Sequence, residues 1–267
     1  MSRYLIWVMS WLFIVVMLVI PLVLVLTEAL RNGFLASMKT LYTPDALAAI
    51  WLTIRVTVVA IIINTFFGTL AAWVLSRFRF VGRQTLLVLV ELPLSISPVV
   101  SGLLWLLLFG AQGWFGPFLE RWNIHIAFAT SGIILATLFV TLPYVVRTLI
   151  PVMEIQGRET EEVAVLAGAG FWRILWSVTL PSIPEALISG ILLTTARALG
   201  EFGAVSVVSG HIPGETETMP LRIEDLYNGY QSVGAFTMAT LLAIMAMLTV
   251  LLRTAPDWAC YLWKKDP

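Results

Sequence analysis

Six runs of apolar residues divide the chain, at about 5–27, 53–75, 86–109, 128–150, 185–208 and 231–252, with polar residues gathered between them. Each run holds roughly 20 residues or more, enough at about 1.5 Å of rise per residue to cross a hydrocarbon layer ~30 Å thick. Lipid offers the backbone no hydrogen-bond partner, so runs of this length predict helices that satisfy their own amides. Pro21, Pro93, Pro98 and Pro143 fall inside the runs. Each removes a backbone donor, and several kinks are expected. The first run follows a short start that carries Arg3. It is long for a signal peptide and no small-residue cleavage pattern follows it, so it reads as a retained span. No internal repeat or low-complexity linker is visible. Residues 1–267 therefore read as one all-α transmembrane domain.

Composition sharpens this picture. Of 267 residues, 59% are hydrophobic and only 12% are charged, whereas soluble domains are about a quarter charged. The mean hydropathy of +0.92 agrees. Net charge is zero and no basic patch forms, so no nucleic-acid partner is expected. The single cysteine, Cys260, excludes an intrachain disulfide and reads as part of a tail without a role. His125 and His211 lie far apart in loops, and no ligand set or nucleophile–base pair accompanies them. Neither a metal site nor an enzyme centre is expected.

Loop charge sets the orientation. With six spans, both termini share a side with loops 76–85 and 151–184. That side holds Arg3, Arg77, Arg79, Arg83, Arg158, Arg173, Arg253, Lys264 and Lys265, nine cations; the other holds Arg31, Lys39, Arg121 and Arg222, four. Both termini and the 151–184 loop are thus expected in the cytoplasm. Tyr4, Trp7, Trp51, Trp114, Trp122, Tyr261 and Trp263 stand near segment ends, where interfacial anchors belong.

The 151–184 loop opens acidic, with Glu154, Glu159, Glu161 and Glu162, then turns small, with Ala164, Ala167, Gly168, Ala169 and Gly170. Acidic residues suit a helix start. The Gly168–Gly170 run predicts a break, because glycine tolerates positive φ and weakens a helix. Phe171, Trp172, Ile174, Leu175 and Val178 then continue as a second helix with an apolar face, which Pro181 and Pro184 are expected to end. Two short helices with an exposed small-residue elbow fit two uses, a hairpin lying on the membrane or a surface that docks another protein.

Within the fifth run, Arg197 and Glu201 stand four apart and are expected to share a helix face. A charge at the bilayer centre costs at least ~2.5–3.5 kcal/mol, so such residues face a partner or a wet cavity. Either they neutralise each other and pin helix packing, or Arg197 borders an anion path while Glu201 holds it. Thr194 and Thr195 lie beside them. In the third run Ser95, Ser97 and Ser101 surround Pro93 and Pro98. They fit either hydroxyl donors along a path or small-residue helix packing.

Glu162, Ala164, Gly168, Leu180 and Pro181 fall on the spacing E-x-A-x-x-x-G, eleven residues, then L-P. That spacing resembles the "EAA" loop of ATP-binding-cassette importer permeases, with departures at Val163 and Val178. ARALGEFGAVSVVSG followed by GETETMPLRIE, LPLSISPVVSGLLWLLLFG and TLPYVVRTLIPVM resemble permeases for tetrahedral oxyanions, over about residues 49–253. The subunits of sulfate/thiosulfate importers are the nearer likeness, with the molybdate permease a cousin. The resemblance implies a type I importer transmembrane domain. It also implies docking of an ATPase dimer through Glu161, Glu162, Ala164, Gly168, Ala169, Gly170, Leu180 and Pro181. A sister permease, a soluble binding protein at the outer face of a bacterial inner membrane, and transport by alternating access are further implications.

ATP and magnesium would sit on the partner, since the phosphate-binding G-x-x-x-x-G-K-[ST] pattern is missing; Lys39-Thr40 is preceded by Met38. Two alternatives stay open. One is a homodimeric molybdate or tungstate permease, the other an ion-gradient symporter that works alone.

Overall fold

The computed structural model describes residues 2–263, with side chains over 3–252. Lys264 and Lys265, and the side chains of Arg253, Cys260, Tyr261 and Trp263, lie outside the described residues. Every regular element among the described residues is helical. In chain order these are α1 (Arg3–Ala29), α2 (Phe34–Leu41), α3 (Pro44–Arg77), α4 (Arg83–Ser95), α5 (Pro98–Phe109) and α6 (Gly116–Arg121). There follow α7 (Thr130–Gln156), α8 (Glu159–Leu166), α9 (Phe171–Ser182), α10 (Pro184–Leu199), α11 (Gly203–Val208), α12 (Met219–Asn228) and α13 (Ser232–Trp263).

Four helices, α1, α3, α7 and α13, are each long and apolar enough to cross a membrane. Two further pairs meet that test only together, α4 with α5 and α9 with α10, each bent at a short break. The third apolar run, expected as one kinked helix, is bent by 111° between Ser95 and Pro98. The fifth stops at Leu199, and its last residues form the separate α11. Proline explains the first departure, whereas the second falls at Gly200, the C-cap of α10. Pro98 and Pro184 each occupy a first helical turn, where a missing N–H costs nothing, so they open new helices instead of kinking old ones. Pro181, expected to end the loop helix, lies inside α9 just after a π turn at Leu175–Thr179. Helix α3 starts about nine residues before the expected span, at Pro44 with Asp45 in its first turn. Its 34 residues reach about 51 Å, so its ends extend beyond the hydrocarbon layer.

The chain forms two compact units, Met1–Leu52 with Ile212–Ile244, and Thr53–His211 with the chain from Met245. In the larger unit, α3, α7 and α10 cross where side chains are small. A Cβ on Gly68 would stand 3.0 Å from Val145 Cβ, and one on Gly190 3.4 Å from the Val145 backbone. Lipid-embedded helices associate by such close approach and by hydrogen bonds. Asn64 supplies the latter, buried and donating to Thr141 Oγ1 at 2.7 Å and to the Leu138 carbonyl at 3.2 Å.

In the smaller unit the Ala29 carbonyl, at the end of α1, accepts from Ser37 Oγ at 2.5 Å and from Thr237 Oγ1 at 3.4 Å. The same unit buries an acid. Glu217, 1% exposed just before α12, receives Arg222 Nη1 at 3.3 Å, while Arg222 Nη2 reaches Asp45 at 3.3 Å. Burial pushes the Glu217 carboxyl up from its ordinary 4.5 to about 7; Arg222 opposes the shift, and Asp225 and Asp45 reinforce it.

An acid with a raised folded pKa favours folding in its protonated form. That contribution is full below about 4.5 and is lost as pH rises through about 7. Melting of the purified protein between pH 5 and pH 8 is expected to show a fall in Tm that Glu217→Gln flattens. An equal fall in the variant would contradict this assignment.

Candidate functional site

The loop between α7 and α10 is built around one buried carboxylate. Helix α8 starts at Glu159 with three glutamates in its first turn. Successive residues on a helix point about 100° apart, and the consequence is plain at its second and third acids. Glu162 is exposed, whereas Glu161 turns inward and is only 9% exposed. Glu161 Oε1 accepts from Arg77 Nε at 3.0 Å, from Thr179 Oγ1 at 2.8 Å and from Trp73 Nε1 at 3.2 Å. Arg77, itself 5% exposed, also donates from Nη1 to the Met153 carbonyl. One carboxylate and one guanidinium thus tie together α3, α7, α8 and α9.

The π turn in α9 places Thr179 for this contact. It inserts an extra residue per turn, a local distortion that recurs at functional positions. Trp73 completes the enclosure, with Phe171 at 4.9 Å and Phe78 at 5.3 Å, both edge-on. Leu75, Leu149, Met153, Ile174, Leu175 and Ile183 fill the surrounding core. Removing one partner of such a buried pair costs about 3–5 kcal/mol, because the other charge remains without compensation.

Glu161 was expected in the docking surface; its carboxylate is turned into the chain instead. Arg77 was expected among the loop cations and is buried at the end of α3. Trp73 and Thr179 carried no expectation at all. The charge count reads only sign and position, and the Arg77–Glu161 contact spans 84 residues of sequence.

Two exposed ties close the base of the loop. Arg83 Nη2 meets Glu154 at 2.8 Å while its Nε donates to the Leu75 carbonyl at 2.7 Å. Gln156 and Ser182 exchange hydrogen bonds, with Ser182 Oγ donating to Gln156 Oε1 at 3.0 Å and Gln156 Nε2 donating to the Ser182 carbonyl.

The elbow lies on the outer side of this assembly. Gly168 has φ +80°, the left-handed conformation that terminates α8, and a Cβ there would meet no atom within 4 Å. Gly170 is equally open. Gly168, Gly170 and Pro181 are exposed, whereas Ala164, Ala169 and Leu180 are half-buried. Apolar side chains surround the elbow, with Leu166 88% and Val163 65% exposed.

A second constellation forms where two broken helices meet. The break Ser95–Pro98 lies against the break Gly200–Gly203. A Cβ on Gly203 would stand 2.9 Å from Pro98 Cβ, and one on Gly102 would stand 2.7 Å from the Ala204 carbonyl oxygen. Glycine at 102 is therefore required by backbone contact. Glu201 sits in the second break, 2% exposed, and its Oε1 accepts the Ala204 N–H at 2.9 Å, capping α11. Its other oxygen lies 2.5 Å from Arg197 Nη1. Arg197 and Glu201 meet as expected, but not along a shared helix face, since α10 ends at Leu199.

The remaining candidates divide by exposure. Ser95 and Ser97 are exposed at the first break. Ser101 is fully buried and donates to the Ser97 carbonyl at 3.3 Å, so in this conformation its hydroxyl faces no open path. Thr195 donates to the Ile191 carbonyl at 2.8 Å. Thr194 is fully buried, and its hydroxyl has no hydrogen-bond partner among the described residues.

Comparison with known proteins fits this geometry into a family. Residues 64–258 match the model of the binding-protein-dependent transport system inner membrane component. The sulfate transport system permease protein CysW of Escherichia coli (strain K12) is 47% identical over 241 residues, 90% of this chain and 83% of the relative. The CysT permease protein of the same system and strain is 37% identical over 214 residues, 80% of this chain and 77% of the relative. Among solved structures, the bacterial alginate importer in complex with an alginate-bound periplasmic protein superposes with a TM-score of 0.78, at 16% identity over 95% of this chain and 93% of that one. The last likeness shows the fold, a type I importer transmembrane domain. The chain belongs to the binding-protein-dependent transport system inner membrane components, in the branch that holds the CysW permeases.

Proposed function

We propose that the chain is one permease subunit of an ATP-driven importer for sulfate, with thiosulfate as a second oxyanion carried by the same path. The observation that carries the substrate is the 47% identity to a sulfate permease across nine-tenths of the chain. A homodimeric molybdate permease and a gradient-driven symporter are both less favoured by that identity. A sister permease completes the pathway, a soluble binding protein delivers the anion, and an ATPase dimer binds ATP and magnesium. The loop and both termini face the cytoplasm across the inner membrane, in keeping with the excess of loop cations on that side.

The elbow supports the docking part of this reading. Glu162 and Gly168 are exposed, with open space where a Cβ on Gly168 would stand, while Glu161 is locked behind them. Another protein's groove meets a firm, small-residue surface there. Ala164, Ala169, Gly170, Leu180 and Pro181 border the contact. ATP binding draws the two ATPases together and moves the loop, and the spans rock between outward and inward openings.

The broken helices support the anion part. Sulfate needs hydrogen-bond donors and positive charge at some depth in the membrane, and discontinuous helices expose backbone donors that intact helices hide. Arg197, with its side chain 28% exposed, borders the path, and Glu201 holds its guanidinium in place. Ser95, Ser97 and Thr195 line the neighbouring surface, while Ser101 and Thr194 turn toward it only when the helices rearrange.

Purification of the tagged chain from its native membrane in mild detergent, followed by mass spectrometry, tests the assembly. An ATP-binding-cassette subunit and a second permease are expected; absence of any ATPase would overturn the proposal. Gly168→Trp is expected to leave the membrane subunits assembled while ATP hydrolysis no longer drives uptake. Gly168→Ala, which shares the backbone strain without the bulk, is expected to keep most uptake. Normal uptake in the tryptophan variant would remove the docking model. For Arg197→Ala, uptake of labelled sulfate is expected to fall more than the amount of assembled complex. Equal loss of the two would assign Arg197 to packing alone.

A further inference from the structure

The buried carboxylate behind the elbow is the strongest feature that docking itself does not use. Glu162, one residue on, is free to meet a partner; Glu161 is not, because three side chains from two other helices already occupy its oxygens. Arg77 closes the arrangement through Met153 on α7. The two exposed ties at the base of the loop compete with water, which replaces their hydrogen bonds at little cost. Water cannot do this for Arg77 and Glu161, whose side chains are 6% and 11% exposed. The last turn of α3 and the first turn of α8 are therefore joined by a contact that does not yield gradually.

We propose that Arg77 and Glu161 are positioning residues that make the docking loop and helix α3 move as one body. A displacement imposed on the elbow then reaches the span instead of being absorbed by flexing of the loop. This role rests on the reading of the elbow as the ATPase contact, and it adds the element that receives the motion. Trp73 and Thr179 hold the carboxylate in register, Thr179 from the π turn of α9 and Trp73 from α3 itself. The span so driven is also the one whose Asn64 bonds to Thr141 on α7, which gives the motion a direct route into the crossing of α3 and α7.

The test uses the whole importer, purified with its ATPase and sister permease and reconstituted in liposomes. Spin labels are placed at Arg79→Cys, just beyond α3, and Glu159→Cys, at the start of α8, after Cys260→Ala; Arg79 and Glu159 are both exposed. With the pair unaltered, the label-to-label distance is expected to be the same in the nucleotide-free and ATP-trapped states. A distance that shifts with nucleotide would overturn the proposal without any change at the pair. With Glu161→Gln, the distance is expected to broaden and to depend on nucleotide. Uptake per ATP hydrolysed is then expected to fall about ten-fold, the scale of a coupling between distant sites, while hydrolysis continues.

The double change Arg77→Met with Glu161→Leu leaves no unpaired buried charge and serves if the single variant does not assemble; the same loss of uptake per ATP is expected of it. Unchanged uptake per ATP in either variant would overturn the proposal. A preparation that contains no ATPase would overturn the docking reading beneath it, and that result is separate from both.

Discussion

Lipid provides nothing to hydrogen-bond a broken backbone, and every interruption in this fold answers to that constraint. Four spans avoid the difficulty by remaining continuous. Elsewhere breaks are set against each other: the one at Ser95–Pro98 lies against the one at Gly200–Gly203, where α10 gives way to α11. Gly102 admits the Ala204 backbone and Gly203 the Pro98 ring, and Glu201 accepts the N–H of Ala204 that the break leaves free. A carboxylate in such a place needs a cation, and Arg197 supplies it. Charge in the membrane is thus first a consequence of broken helices. In the proposed reading the same breaks also serve the anion, and a transport role for Arg197 shares that structural origin.

The loop follows a different logic, because it is built of short helices that would not be stable alone. Eight residues of α8 and the π-distorted α9 fall short of the length at which isolated helices persist. They are fixed by what they enclose: a carboxylate, a guanidinium and the aromatic edges around Trp73. The result is a surface that is soft in composition, with glycine and alanine outward, and rigid in mounting. In the proposed reading both properties serve docking, one as a place for a partner to seat and the other as a stiff path inward.

Much of this was legible in the pattern of residues. Four of the six apolar runs become continuous helices long enough to cross, while the third and fifth belong to bent pairs, and Gly168 marks the end of α8 because the sequence places glycine where positive φ is required. What resisted reading is nonlocal. Arg77 looked like one more loop cation, since its partner is 84 residues away. Nothing in local spacing separates the inward Glu161 from the outward Glu162 once two glutamates adjoin. Prolines signalled interruption at 93–98 without giving its angle, because Pro98 begins a helix and so permits a 111° turn. Asn64 did carry a readable signal, an amide alone in an apolar run, which lipid tolerates only with a partner.

The most direct measurement is uptake of labelled sulfate into liposomes that hold the purified importer, with binding protein outside and ATP inside. Uptake is expected to depend on internal ATP and to cease when this chain is left out of the assembly. Uptake by the chain alone, driven by an ion gradient and indifferent to ATP, would contradict this expectation.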